Sequence, residues 1–76
     1  MSTKFPTVNA KQLIKVVEQK GFFFSRQTGS HAIYINNEGI RLTIPIHGKK
    51  DLGKGLLKQI LADARLSVDE LKTLIR

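Results

Sequence analysis

The sequence predicts an α+β domain: a helix, a meander of three antiparallel strands, a second helix and a short third one. Three observations predict it. Apolar stripes at helical spacing run through Leu13, Ile14 and Val17, and again through Leu56, Leu57, Ile60, Leu61 and Ala64. Between them lie three short segments rich in aromatic or β-branched residues, bounded by glycine and asparagine. The connections between these segments are too short for a crossover helix, so neighbours in sequence pair as neighbours in the sheet. Each main helix has one apolar stripe. Both helices therefore cover one face of the sheet and leave the other to solvent or a ligand.

Residues 1–8 read as a loose lead-in. Asn9 is placed to cap a helix, with Gln12 as its capping-box partner and Val8 and Leu13 as a hydrophobic staple. That helix is expected over residues 10–20, ended by Gly21, with Lys20 near its negative end. Phe22-Phe23-Phe24-Ser25-Arg26 reads as the first strand, with at least two of its phenylalanines in the core. Gln27-Thr28-Gly29 is a tight connection in which Gly29 can take a positive φ. Ser30 to Asn36 is the second strand, and Asn36-Asn37-Glu38-Gly39 the hairpin loop after it. Ile40 to Ile44 alternates as the third strand, with Arg41 and Thr43 outward; Pro45 ends it or marks an edge. Asp51 is a plausible cap for the second helix, although Gly53 and Gly55 favour a later start. Ser67 and Glu70 form a second capping box, opening a last helix with Leu71, Leu74 and Ile75 on one side.

The 76 residues suit one domain, 1–76, with a core pattern over about 9–66 and the last helix over about 67–76. Such a chain draws only about 3–5 kcal/mol of net stability from its core. With no cysteine, disulfides and cysteine-based zinc sites are excluded. No apolar run approaches the roughly 20 residues of a membrane span. Met1-Ser2-Thr3-Lys4 leads into no apolar signal core, so a cytoplasmic protein is expected. Thirteen basic residues against six acidic ones give a net charge of +7. The excess lies wholly in residues 1–58, and residues 59–76 are neutral. A field of this kind draws a nucleic acid, an anionic membrane or an acidic protein partner.

Chemistry centres on Gly29-Ser30-His31, an imidazole beside a glycine turn. Histidine exchanges a proton near neutral pH with no shift of its pKa. His31 could serve as general acid or base in phosphodiester cleavage, or could simply start a strand and bond the turn. Alternation puts it on the side of Ile33 and Ile35, which argues for the structural role; its place at a strand end argues for solvent. Ser30 could bind a phosphate oxygen or cap the turn. It is no nucleophile for His31, because neighbours on a strand point to opposite faces. Lys49, Lys50, Lys54 and Lys58 are the densest basic cluster. The last three, spaced by four, would line one side of the second helix and form a phosphate site with its first amides. Tyr34 and the phenylalanine run could stack on bases. His47 has no partner at ligand spacing, so neither a metal nor a cofactor is expected.

These residues, taken in order, resemble the HicA toxins, the mRNA interferases of HicAB toxin–antitoxin modules. The resemblance is carried by Gly21-Phe22, by Ser25-Arg26-Gln27-Thr28-Gly29-Ser30-His31, by Tyr34, and by Ile44-Pro45-Ile46-His47-Gly48-Lys49-Lys50-Asp51-Leu52 with Gly55 to Leu61. Lys11 to Lys15 is similar to that family's first helix. Departures are Asn9-Ala10 where Ser-Gly is usual, Gly53 where Pro is common and Leu56 for a usual Thr. The resemblance implies a fold like a double-stranded-RNA-binding domain, ribosome-independent cleavage of mRNA and a catalytic His31. It also implies neutralisation by a HicB antitoxin. The expected function is a metal-independent RNA endonuclease, with Ser30, Arg26, Lys49, Lys50, Lys54 and Lys58 on the RNA. The alternatives are a module that grips structured RNA without cutting it, and a protein whose basic face only docks an acidic antitoxin.

Overall fold

The computed structural model describes residues 5–75. Its elements are α1 (Ala10–Gln19), β1 (Phe23–Thr28), β2 (His31–Ile35), β3 (Arg41–Pro45), α2 (Lys54–Ala64) and α3 (Val68–Leu74). The three strands form one antiparallel sheet in the order β1-β2-β3. This is the expected α+β layout, the short third helix included.

Local chemistry sets the helix ends. The Asn9 side chain accepts from the Gln12 amide and the Gln12 side chain accepts from the Asn9 amide, each at 2.9 Å. Val8 and Leu13 are both fully buried, as a staple requires. At α3, Ser67 and Glu70 make the second reciprocal box, at 3.0 and 3.1 Å. Asp51, by contrast, does not cap α2. It is held in an extended bridge with Asn9, and the helix starts later, with Gly53 in the cap position and no side-chain cap.

The core lies between the helices and one face of the sheet. Ala32, Tyr34, Leu42 and Ile44 meet Leu13, Val16 and Val17 of α1, Leu57, Ile60, Leu61 and Ala64 of α2 and Leu71 of α3 in one cluster. Leu56, expected in that stripe, is 40% exposed. The helical turn points it aside from the 57-60-61-64 row, which alone meets the sheet. The helices pack over β3 and β2, so β1 overhangs and every one of its residues is exposed. Hence only Phe22 of the three phenylalanines is buried; Phe23 and Phe24 are 46% and 53% exposed. Residues 1–4 of the expected lead-in lie outside the described residues, but from Phe5 onward the segment packs on the core.

Candidate functional site

The β1–β2 turn is tighter than the sequence suggests. Gln27 and Thr28 belong to β1, which leaves Gly29 and Ser30 as a two-residue loop closed by the Thr28–His31 pair. Gly29 has φ +59, the sign that the first position of a type II′ hairpin turn demands. The Gln27 side-chain amide donates to the Gly29 carbonyl at 3.1 Å and braces the loop. On the far side, the Ile46 amide donates to the Ser30 carbonyl at 2.6 Å. The end of β3 is thereby tied to the same turn, and Pro45 sits opposite His31. A proline is tolerated there because β3 is an edge strand.

His31 is exposed. The alternation that groups it with Ile33 and Ile35 holds, but that side of the sheet faces away from the helices. The helix-side residues of β2 are Ala32 and Tyr34, which join the core cluster; Ile33 does not. Sharing a face with Ile33 and Ile35 therefore leaves the imidazole wet at a strand end rather than buried.

The segment after β3 returns to the start of α1. The Lys50 amide closes a turn on His47 at 3.1 Å, with Gly48 at φ +64. Asp51 then bridges Asn9, and the Leu52 amide donates to Val8 at 2.8 Å. The β1–β2 turn, the end of β3 and the starts of α1 and α2 thus share one end of the molecule. Ser30 and His31 stand at that end, Lys49 and Lys50 are in the loop that leaves it after Ile46, and Lys54 opens α2. The expected lysine row is broken: Lys50 lies in the loop, and only Lys54 and Lys58 are on α2. Both lysines sit over the Phe5 ring, at 5.7 and 5.6 Å from its centre. Phe5 escaped notice in the sequence because it precedes the first cap; the dipeptide Phe5-Pro6 was the available signal. Arg26 stands on the open sheet face opposite Ile33, away from the lysines.

Charge is segregated along the molecule. Of the six acidic residues, only Asp51 lies at the His31 end. Glu18 is near the C-terminus of α1, Glu38 is in the β2–β3 loop, Asp63 is near the end of α2, and Asp69 and Glu70 are on α3. There Lys20 pairs with Glu70 at 3.1 Å, and Gln19 donates to the Leu74 carbonyl at 3.0 Å, joining α1 to α3. The Ser67 amide, and then Lys20, hold the Glu70 carboxyl below its ordinary pKa. Burial, with Glu18 nearby, raises the Tyr34 phenol. The first turn of α2 has no acidic residue, and its amides have no side-chain cap. Among the described residues, no three His, Cys, Asp or Glu side chains cluster as metal ligands would, and no helix is long and apolar enough to cross a membrane.

An end that is exposed, basic and furnished with one imidazole can hold a phosphate chain and move a proton beside it. Residues 10–66 fit a family model described as the HicA toxin of bacterial toxin–antitoxin systems. No curated protein matches the chain.

Proposed function

The chain belongs to the HicA toxin family, and from that premise we propose that it is an endonuclease that cleaves mRNA, with His31 as its acid–base group. His31 takes the proton of a ribose 2′-hydroxyl as that oxygen attacks the neighbouring phosphorus. The bond to the 5′-oxygen breaks, and that oxygen leaves with a proton from water or from the imidazolium. The products are a 2′,3′-cyclic phosphate and a 5′-hydroxyl. Lys49, Lys50 and Lys54 hold the flanking phosphates and offset the charge that builds on the phosphorus. Lys58, Arg26 and Ser30 contact the backbone on either side. The step uses no metal and no cofactor. As a toxin the chain works in the cytoplasm, where a HicB-like antitoxin restrains it by covering the basic end. The observation that carries this reading is the exposure of His31 at the end of the molecule from which carboxylates are almost absent.

The test is His31→Ala in an RNA-cleavage assay. The expected loss is on the order of 10²- to 10⁴-fold, the usual worth of a general acid or base. Because the ring is exposed, stability should stay within about 0.5 kcal/mol, which circular dichroism and a melt will check. A folded variant that cleaves like the wild type rejects the assignment. One observation favours the non-cleaving module as second reading: among the described residues no side chain hydrogen-bonds to His31, so nothing orients the imidazole. Labelled RNA that shifts in a gel but stays intact would select that reading.

A further inference from the structure

We propose that the uncovered face of the sheet is a platform for single-stranded RNA, on which Phe23 stacks a base and Arg26 and Arg41 hold phosphates. The inference rests on the nuclease reading of His31, because continuity with that residue decides the ligand.

The register builds the face. Phe23 and Arg41 flank the far end of β2, either side of Ile35, and Arg26 and Thr43 flank its centre, either side of Ile33. Ile33 is only 7% exposed although it stands apart from the core cluster. It is the centre of a face closed by long neighbours rather than by a helix. Phe23 is 46% exposed. Its sequence neighbour Phe24 turns to the other side and meets Tyr34 edge to face at 5.8 Å. Phe23 has no aromatic partner among the described residues.

No strand residue is acidic, so the strands offer two guanidinium groups and the Thr43 hydroxyl, and the nearest carboxylate in sequence is Glu38, in the β2–β3 loop beyond Arg41. Two cations, a hydroxyl and one half-exposed ring match a polyanion that carries flat bases. An acidic protein surface would meet the two cations as well, so continuity with His31 decides between the two. His31 closes one end of this same face. A strand that places its 2′-hydroxyl at His31 therefore runs on across it. The Phe23 row lies four residues from the His31 row along β2. At about 3.3 Å per residue that is roughly 13 Å, room for about four bases at the ~3.4 Å spacing of a stacked strand. Sheet-borne aromatics that stack single-stranded bases are a known solution to RNA recognition.

The experiment is fluorescence anisotropy with a short labelled single-stranded RNA of mixed sequence whose riboses are 2′-O-methylated, so that the proposed cleavage has no nucleophile, and with the same RNA annealed to its complement. The wild-type chain, Phe23→Ala and Arg41→Gln are titrated over a range of salt, with melts run alongside. Phe23→Ala should weaken single-strand binding about tenfold and leave duplex binding and the melt nearly unchanged. Arg41→Gln should lower the log–log salt slope on the single strand by about 0.7. Single-strand affinity within twofold of wild type in both variants overturns the platform. So do equal losses on duplex, or a wild-type chain that binds no single strand. The two readings fail separately. If His31→Ala abolishes cleavage but Phe23→Ala binds RNA normally, the platform falls and the nuclease stands. If Phe23→Ala loses the RNA while His31→Ala still cuts, the reverse holds.

Discussion

Leu71→Ala tests whether the last helix belongs to the fold. Leu71 is fully buried and is the one buried residue of α3. It shares a cluster with Leu13 and Val17, so its loss leaves a gap under α1 rather than at the surface. Truncating a buried leucine costs about 2–5 kcal/mol, depending on how far the site collapses. A core of this size yields about 3–5 kcal/mol in all. A loss near 3 kcal/mol, at about 4–8 °C of Tm per kcal/mol for a domain of this length, lowers Tm by roughly 12–24 °C. The assay is thermal unfolding by far-ultraviolet circular dichroism, with refolding checked on cooling. Thr73→Ala, at an exposed position of the same helix, is the control and should move Tm little. Removing residues 67–76 should do at least as much damage as Leu71→Ala, although these residues lie outside the segment that matches the family. A Leu71→Ala melt within about 3 °C of wild type, less than 1 kcal/mol by the same scale, would refute the reasoning. Helix α3 would then be an appendage laid on a domain already closed without it.

Two further outcomes follow from single groups. A Cβ at Gly29 would meet no atom within 4 Å, so Gly29→Ala costs only the strain of φ +59. That is about 1–2 kcal/mol, read as a lower Tm, and Gly29→Asn should cost less; an alanine variant as stable as wild type would contradict the turn assignment. Tyr34 has a raised pKa, so its contribution is fully present below the unfolded value of 10.0 and is lost as pH rises through the higher folded value. Melts at about pH 9 and pH 11 should show a steeper alkaline loss in the wild type than in Tyr34→Phe, and parallel losses would remove Tyr34 as the cause.

What was legible in the sequence was what local chemistry settles. Both capping boxes could be read because each is closed by partners three residues apart, as Asn9 with Gln12 and Ser67 with Glu70. The strands could be read from alternation, and the basic character of the His31 neighbourhood from a count. What escaped depended on partners far along the chain. Asp51 looks like a cap until its bridge to Asn9 is known, and that bridge decides where α2 begins and removes Lys50 from the helix. The aromatic run Phe22-Phe23-Phe24 looks like core, because no local rule says that the helices stop short of β1. Arg65 ends α2 in the left-handed conformation at φ +60 with no glycine to announce it. The amide of Leu66, reaching back to the Leu61 carbonyl at 2.9 Å, holds it there.

The exposure of His31 follows from the same arithmetic that limits the core. Two amphipathic helices and one short one supply apolar surface for only one side of a three-stranded sheet, and that side takes Ala32, Tyr34, Leu42 and Ile44. The other side must then tolerate water, so it is written in Arg26, Arg41, Thr43 and His31, with Ile33 as its one buried residue on β2. A larger chain would lay a further layer there and would have to move its imidazole elsewhere. Here the strand that begins at the hairpin turn delivers His31 to the rim of an uncovered face. Among the described residues the one acidic residue at that end, Asp51, pairs its backbone with Asn9 in the bridge that shapes the basic loop. Wetness at that rim thus comes from folding requirements alone. The proposed cleavage chemistry adds two demands to it, a histidine directly after the turn and lysines in the segment that follows β3.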